Sequence, residues 1–322
     1  MNRKLETVAI VGTGTIGSSW AVLFASRGLN VRMYDVNPAA LAAGHANALT
    51  TLERLLESRD AGADELATAR GRIQAIPNPA ECLAGVDFIQ ESVLERYPIK
   101  RTAHELIESF APSDAIMASS SSGLLANQMQ AGLKHPERFL IAHPFNPPHL
   151  IPLVELVPGP KTDENVLRAT DEFYVAMGKI PIVLRKEIPG HIANRLAVAV
   201  WREAIDIVAN GAASIEDVDK ALYAGPGLRW SSMGQHMIYH LNGGPRGYAG
   251  FFEHFGPQIE NWLKDMAQWT TIPPAARDEV LRQMKESLNG RTQQELEVER
   301  DEKLQRVLHA LYPRQEETVA AD

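Results

Sequence analysis

The strongest constraint on the fold is a glycine-rich stretch near the start of the chain, GTGTIG at residues 12–17. It directly follows the apolar run TVAIV, which is typical of a buried strand, and directly precedes an apolar helical pattern. Gly12 suits a tight turn, Gly14 leaves space beside the backbone, and Gly17 lets the helix pack closely on the strand. A strand, a glycine turn and a helix in this order predict the first βα unit of a doubly wound sheet.

The same loop is expected to bind a dinucleotide. The first N–H groups of a helix and the positive end of its dipole form a site for anions such as pyrophosphate. The residues predicted to form this site are Gly12, Gly14, Thr15, Ile16 and Gly17. Asp35 ends the next apolar run, 18 residues after Gly17, where a carboxylate binds the ribose hydroxyls. The next three residues, 36–38, carry no cation for a 2′-phosphate, so the predicted cofactor is NAD rather than NADP.

Apolar runs of strand length alternate with helical patterns up to about residue 187. This alternation predicts an α/β fold, a Rossmann-type doubly wound parallel sheet, as the NAD-binding domain at residues 1–187. After Pro189–Gly190 only amphipathic helices follow, interrupted by glycine and proline. We expect a smaller all-α domain for substrate binding and dimerisation at 188–315 and a flexible tail at 316–322. The apolar segment 192–208 predicts a homodimer, because a small domain cannot bury it alone.

Composition narrows the classes of partner. The net charge of −8 argues against binding to nucleic acid or to an anionic membrane surface, since both need a basic face. The N-terminal apolar run is too short for a signal sequence or a membrane span. The single cysteine, Cys82, cannot form an internal disulfide and lacks neighbours at metal-ligand spacing. We therefore expect a cytoplasmic protein that has no metal site and acts on a small molecule.

Residues 118–160 concentrate polar side chains next to apolar runs. His143 follows the run RFLIA and is expected at the carboxyl edge of the sheet, where open α/β folds bind ligands. A histidine alone is equally compatible with a structural role. Glu155, twelve residues later, lies within an apolar run, where an unpaired carboxylate is costly. A His–Glu pair explains this cost, because the carboxylate orients the imidazole and stabilises its protonated form.

The motifs GTGTIG, ASSSSG, HPFNPP, LVELV and PGHIANRL, in this order and spacing, resemble the 3-hydroxyacyl-CoA dehydrogenase family nearly end to end. The resemblance is strongest to the lambda-crystallin or L-gulonate 3-dehydrogenase branch, with the L-carnitine dehydrogenase branch as a near neighbour. It implies an NAD-dependent oxidoreductase that oxidises the 3-hydroxyl of an L-3-hydroxy acid, with L-carnitine or an L-3-hydroxyacyl-CoA as alternative substrates. An alternative from another class is an NAD-binding structural, crystallin-like or sensor protein.

The resemblance also implies roles for single residues. It makes His143 the general base and Glu155 its orienting partner. By the same matching, Ser122 and Asn194 hydrogen-bond the reacting oxygen or His143, and Asn146 lies beside nicotinamide or substrate. Alternative interpretations are that Ser122 only forms a turn and that Asn194 only caps a helix.

Glu95 and Lys100 match the family's contacts to the ribose on the nicotinamide side. A surface helix with a Glu-to-Lys pair would have the same spacing. In the second domain, Arg229 is a candidate to bind a substrate carboxylate through its planar fork. An arginine that binds helix-end carbonyls is the alternative.

The region after the second strand differs from relatives that bind CoA. Such relatives carry a lysine-rich helical stretch there, whereas residues 41–80 contain four arginines, no lysine and five acidic residues. CoA is strongly anionic, and a neutral to acidic surface is a poor receptor for it. This favours a small free acid over a CoA thioester.

Overall fold

The computed structural model describes residues 5–312. Its contacts divide the chain into two units, Met1–Asn194 and Arg195–Asp322. This division lies seven residues beyond the predicted boundary, because the backbone of Ile192 and Ala193 is hydrogen-bonded to Glu155 in the first unit. The predicted tail at 316–322 lies outside the described residues.

The first unit is built on one eight-stranded sheet, with the strands in the order β3-β2-β1-β4-β5-β6-β7-β8. The strands are Thr7–Val11 (β1), Asn30–Tyr34 (β2), Ile73–Ala75 (β3), Phe88–Glu91 (β4), Ile116–Ser119 (β5), Phe139–Pro144 (β6), Leu153–Pro158 (β7) and Ile180–Val183 (β8). β1 to β6 are parallel, as the alternation of strands and helices predicts. The mostly parallel sheet followed by helices confirms the predicted fold class.

Helices follow most of the strands of the first unit. They are Thr15–Ser26 (α1), Pro38–Glu57 (α2), Ala63–Gly71 (α3), Pro79–Leu83 (α4), Tyr97–Phe110 (α5), Ala126–Gln130 (α6) and Glu164–Ala176 (α7). The chain then continues as Ala193–Ala209 (α8), Ile215–Ala224 (α9), Pro226–Ser232 (α10), Gln235–Asn242 (α11), Gly247–Asp265 (α12), Pro274–Leu288 (α13) and Gln293–Leu311 (α14). No helix among residues 5–312 is both long and apolar enough to cross a membrane.

The last two strands run against the other six. β6 and β7 are joined by residues 145–152, which contain no crossover helix, so the chain reverses and the two strands pair antiparallel. β8 then lies parallel to β7. The reversal sets His143 and Glu155 directly opposite each other in the β6–β7 ladder.

An aromatic cluster packs α1 and α7 onto the sheet. Trp20 stacks on Phe24 with ring centroids 5.3 Å apart, and Phe88 stacks on Phe173 at 4.4 Å. Tyr174 contacts both Trp20 and Phe88 and is fully buried. Large aromatic side chains bury much apolar surface, so this cluster holds the first helix, and with it the glycine loop, against the sheet.

Lys179 is buried between α7 and β8. Its Nζ donates hydrogen bonds to the carbonyl oxygens of Pro148, at 2.7 Å, and of Ile151, and it lies 5.2 Å from the Trp20 ring centroid. No carboxylate among the described residues forms an ion pair with it, and burial lowers the pKa of Lys179 from 10.5 to about 7. The lysine therefore fixes the 145–152 connection through hydrogen bonds rather than through charge pairing.

We predict that Lys179 makes stability depend on pH. Between pH 7 and 10.5 the unfolded chain keeps the Lys179 proton and the folded protein releases it, so the free energy of unfolding rises with pH. Relative to Lys179→Met, the unmodified protein should gain up to about 1.4 kcal/mol per pH unit within this window. Urea unfolding at several pH values measures the difference, with Lys161→Met, at an exposed lysine, as the control. If the difference in unfolding free energy between the unmodified protein and Lys179→Met did not change with pH, Lys179 would not release its proton in the folded state.

Candidate active site

The glycine loop has the geometry that a bound pyrophosphate requires. Gly12 has φ of +94°, and a Cβ atom there would lie 2.7 Å from the backbone of Ser92 and Val93. A Cβ atom on Gly17 would lie 1.9 Å from the Gly12 carbonyl oxygen. Beside Gly14, by contrast, a Cβ atom would meet nothing within 4 Å. Packing within the protein therefore explains Gly12 and Gly17, whereas the space at Gly14 leaves room for a ligand to approach the backbone.

The start of α1 is available to an anion. Gly14 is its N-cap residue and has no side chain to bond the first N–H groups, and Thr15 is exposed beside it. Ile16 is half-buried.

Asp35 follows directly after β2 and organises the loop. Its Oδ2 accepts hydrogen bonds from the backbone N–H of Thr13 at 2.9 Å and from the Thr13 hydroxyl at 3.3 Å, and its Oδ1 accepts from Asn37 N–H at 2.9 Å. The carboxylate remains half-exposed, and Val36 beside it is 85% exposed. This arrangement fits the ribose of NAD, because a partly exposed carboxylate accepts from two hydroxyls and repels a phosphate.

His143 and Glu155 form a hydrogen-bonded pair. The His143 Nδ1 atom lies 2.8 Å from Glu155 Oε2, and both side chains are buried. An ionised carboxylate only accepts, so Nδ1 carries the proton and Nε2 is left with a lone pair. The pair has the arrangement that general-base catalysis by a histidine requires.

Glu155 also receives the N-terminus of α8. Its Oε1 accepts hydrogen bonds from the backbone N–H groups of Ile192, at 2.8 Å, and Ala193, at 3.0 Å. Burial by itself would raise the pKa of Glu155, but the hydrogen bonds from His143, Ala193 and Ile192 outweigh it and hold the pKa below its usual value. The carboxylate therefore stays ionised beside His143 near neutral pH.

Three of the four serines in ASSSSG have hydroxyls that form hydrogen bonds within the protein. Ser119 donates to Glu91 at 2.6 Å, Ser121 donates to Glu95 at 2.5 Å, and the Ser120 hydroxyl accepts from Trp20 Nε1 and Gln90 Nε2. Ser122 differs, because its hydroxyl has no hydrogen-bond partner among residues 5–312 while its N–H donates to Glu95 at 3.0 Å. Ser122 thus presents a half-buried hydroxyl that a ligand can bond.

Glu95 holds the loop that carries Ser122. Its Oε1 accepts from the Ser121 hydroxyl and from the N–H groups of Ser122, Gly123 and Leu124. Burial would raise the pKa of Glu95, but these hydrogen bonds and the charge of Lys100 lower it. Glu95 lies before α5, so the interpretation as a surface helix pair with Lys100 is wrong.

Lys100 belongs to a buried polar cluster below this loop. Its Nζ lies 2.8 Å from Glu91 Oε1 and 3.5 Å from Glu95 Oε2, and its side chain is 1% exposed. Glu91 also accepts from His104 and Ser119. Burial opposes ionisation of Glu91, but Lys100 and His104 lower its pKa to about 2. A direct contact of Lys100 or Glu95 with ribose stays a prediction, and the structure shows Lys100 bonded to Glu91.

The remaining predicted residues lie at separate places in the chain. Asn146 is exposed in the connection between β6 and β7. Asn194 is half-buried and is the second residue of α8. Because it lies inside the helix it does not cap it, and Glu155 accepts from the N–H groups at the helix start instead. Arg229 is exposed on α10 in the second unit, and its guanidinium makes no hydrogen bond among the described residues. The roles of all three with cofactor or substrate stay predictions.

The sequence did not single out His191. It belongs to the PGHIANRL motif, is 1% exposed, and has its ring centroid 5.1 Å from that of His143. The signal was present as a second histidine beside Asn194, but only the fold brings it next to His143. Glu91 was missed as well, because in the run VDFIQE its carboxylate looks like the end of a strand.

Comparison with known proteins identifies the family. The NAD binding domain of 3-hydroxyacyl-CoA dehydrogenase matches residues 7–188, and the C-terminal domain of the same family matches residues 190–283. The chain belongs to the 3-hydroxyacyl-CoA dehydrogenase family. This confirms the resemblance found in the motifs, and it makes the protein an NAD-dependent dehydrogenase of 3-hydroxy compounds.

Curated relatives of this dehydrogenase include two bacterial L-carnitine dehydrogenases. The protein from Pseudomonas aeruginosa is 39% identical over 316 residues, which cover 96% of this chain and 94% of the relative. The protein from Nocardiopsis dassonvillei is 37% identical over 312 residues, which cover 95% of this chain and 92% of the relative.

Two solved structures are similar to this chain as well. A 5-formyl-3-hydroxy-2-methylpyridine 4-carboxylic acid 5-dehydrogenase, described as an NAD+-dependent dismutase, is 27% identical with a TM-score of 0.81 and covers 97% of this chain and 100% of its own. FadB2 from Mycobacterium tuberculosis is also 27% identical, with a TM-score of 0.66 over 82% of this chain and 95% of its own.

We predict that Asp35 selects NAD over NADP. Asp35→Ala should weaken NAD binding, because it removes both the ribose carboxylate and the hydrogen bonds to Thr13 and Asn37. Asp35→Ser combined with Val36→Arg should shift the preference toward NADP, since a cation replaces the repelling carboxylate. Calorimetric titration with both cofactors measures the ratio of dissociation constants, and Asp64→Ala, an exposed acidic residue on α3, is the control. An unchanged ratio in the double variant would show that Asp35 does not face the ribose.

Proposed function

We propose that this dehydrogenase oxidises the 3-hydroxyl of L-carnitine to the 3-oxo acid, with NAD+ as the acceptor. The hydrogen bond of 2.8 Å between His143 and Glu155 carries the proposal for the chemistry, because it leaves a basic nitrogen on a buried, oriented histidine. Relatives named L-carnitine dehydrogenase, which match over more than nine-tenths of the chain, support the choice of substrate.

His143 removes the proton in this reaction. Bound NAD+ supplies the hydride acceptor. As the carbinol C–H bond gives up its hydride, the hydroxyl proton passes to His143 Nε2, and the carbon–oxygen bond becomes a carbonyl. The neighbouring Glu155 carboxylate, which is ionised near neutral pH, stabilises the imidazolium that results. In the reverse direction the same imidazolium returns the proton.

Ser122 and Asn194 bind the reacting oxygen in this proposal. The hydroxyl of Ser122 has no partner among the described residues, whereas the three preceding serines are committed to protein contacts. Glu95 fixes the backbone around Ser122, so the Ser122 hydroxyl lies on a rigid loop. A preorganised donor is worth more than a mobile one, because it needs no reorientation as charge develops on the oxygen.

The surface after β2 argues against a CoA thioester. α2 and α3 contain no lysine, and the Arg70 guanidinium on α3 is paired with Glu53 on α2. This pairing removes a cation that would otherwise attract the phosphates of CoA. A free acid such as L-carnitine needs no such receptor. The sequence resemblance favoured L-gulonate, but the matched relatives favour L-carnitine, the alternative weighed beside it.

We also propose that the enzyme is a homodimer. Large apolar side chains are exposed on helices of the second unit, among them Leu196, Val198 and Trp201 on α8 and Phe252 and Trp262 on α12. Apolar surface of this extent is typical of an interface. Sedimentation velocity should give twice the mass of the chain, and Trp201→Arg should shift the equilibrium toward monomer. A stable, active monomer of the unmodified protein would overturn the proposal.

The first test of the proposed reaction concerns the catalytic dyad, the pair of His143 and Glu155. His143→Gln should lower kcat by about 10²- to 10⁴-fold while NAD affinity stays nearly unchanged, because only the general base is lost. Glu155→Gln keeps an acceptor for the α8 N–H groups but loses the charge that stabilises imidazolium, so its loss should be similar or smaller. The acid limb of the pH–rate profile should move to lower pH in this variant. Near-native turnover in His143→Gln would remove histidine from the mechanism.

The choice of substrate is tested separately. Initial rates of NADH formation are compared for L-carnitine, D-carnitine, L-gulonate and L-3-hydroxybutyryl-CoA. L-Carnitine should give the highest kcat/KM, and D-carnitine controls for recognition of the carbinol configuration. A higher value for L-gulonate would favour the other branch of the family, and a higher value for the thioester would contradict the charge argument at α2 and α3.

A further inference from the structure

His191 has an unusual backbone and an unusual side chain. Its φ is +51°, directly after Gly190 at +75°, and a residue with a Cβ atom adopts this left-handed conformation only at an energetic cost. Its ring is 1% exposed, and Nδ1 is buried without a hydrogen-bond partner among residues 5–312. An unpaired polar atom in a protein interior is a second cost. Two unfavourable features at one residue beside a reaction site call for a functional explanation.

The hydrogen bonds of His191 define its tautomer. Nε2 lies 3.1 Å from the carbonyl oxygen of Ser121, and a carbonyl only accepts, so Nε2 carries the proton. Nδ1 is then a lone-pair acceptor with no donor in the part of the chain that the structure describes. Burial and the charge of His143 lower the pKa of His191, outweighing the Ser121 carbonyl, Glu155 and Glu95, which raise it. The ring is therefore neutral near neutral pH.

His191 is fixed against the dyad. Its ring lies 5.1 Å from His143, centroid to centroid, with an interplanar angle of 50°. The N–H groups of the next two residues, Ile192 and Ala193, bind Glu155, which in turn binds His143. The titratable groups that act on the His191 ring are His143 on β6, Glu155 on β7 and Glu95 after β4. A change of charge on His143 therefore acts on the His191 ring at short range.

We propose that His191 is a positioning residue of the proton-transfer site, whose Nδ1 lone pair stabilises the proton that His143 takes from the substrate. The inference rests on the proposed role of His143 as the general base. One proton moves, from the substrate hydroxyl to His143 Nε2, and His191 keeps its own proton on Nε2. The lone pair at the negative end of the neutral ring attracts the imidazolium, and this attraction is strong because little water screens it.

Three variants separate the two nitrogens of His191. His191→Gln places an amide donor near the position of Nε2 and keeps the bond to Ser121, but it has no acceptor at the Nδ1 position. His191→Asn places a polar group near the position of Nδ1 and loses the bond to Ser121, and asparagine tolerates the left-handed backbone. His191→Phe keeps the aromatic packing and has neither nitrogen. Thermal unfolding of each variant reports the structural cost separately.

The test is an NMR titration of the full-length enzyme, with its histidine rings labelled and without NAD. His143→Gln identifies the His143 signal by its loss. The midpoint of that signal should fall by about half a pH unit or more in His191→Gln and His191→Phe, and should be kept in His191→Asn. The acid limb of the pH–rate profile with NAD+ and L-carnitine should move in the same direction. In the unmodified enzyme, the nitrogen signal of His191 Nδ1 should shift as His143 titrates.

The outcomes are distinct. If all three His191 variants have the same His143 midpoint, or if the midpoint falls as far in His191→Asn as in His191→Gln, His191 is only a structural residue. A static Nδ1 signal in the unmodified enzyme would contradict the proposal even where the variants fail to fold. Normal turnover in His143→Gln would overturn the proposed function itself. Loss of turnover in His143→Gln together with an unshifted profile in His191→Gln would overturn only the inference about His191.

Discussion

A buried carboxylate, Glu155, is the constraint on which the site depends. It lies in the interior strand β7 without exposure to water, and an ionised group there is stable only when every oxygen is bonded. His143 satisfies Oε2, and the N–H groups of Ile192 and Ala193, at the start of α8, satisfy Oε1. The same charge therefore orients the histidine and holds the backbone of Ile192 and Ala193. Loss of one contact would leave a buried charge unpaired, so these elements are energetically coupled.

Two further carboxylates organise the neighbouring strand ends by the same principle. Glu91 gathers Lys100, His104 and Ser119 at the ends of β4 and β5. Glu95 gathers the N–H groups of the serine loop, and so fixes the position of Ser122. Each carboxylate accepts several charge-assisted hydrogen bonds, which are stronger and more directional than neutral ones. Polar loops at the carboxyl edge of this sheet are thus held rigid by acidic side chains, and a rigid loop is what a preorganised reaction site requires.

Some of the site was predictable because its signal is local. GTGTIG constrains the backbone directly, since Gly12 and Gly17 exclude any side chain. The carboxylate within LVELV is costly by itself, so a partner had to be sought, and a histidine twelve residues earlier was available. The mutual position of Glu95 and Lys100 was not predictable in this way. Both fit a surface helix by spacing, and only the burial of Lys100 beside Glu91 distinguishes a structural cluster from an exposed ion pair.

The sequence by itself determined the fold class, the cofactor and the pairing of His143 with Glu155, because glycine sterics, strand periodicity and the cost of a buried charge act over a few residues. The tertiary structure decided the rest. The reversal between β6 and β7 places the dyad in register, and the same reversal turns two strands against an otherwise parallel sheet. The position of His191 beside His143, the hydrogen bond of Glu95 to the Ser122 backbone and the hydrogen bonds of Glu155 to Ile192 and Ala193 join segments far apart in the chain. Contacts of this kind depend on how strands and loops pack in three dimensions, which no spacing along one segment encodes.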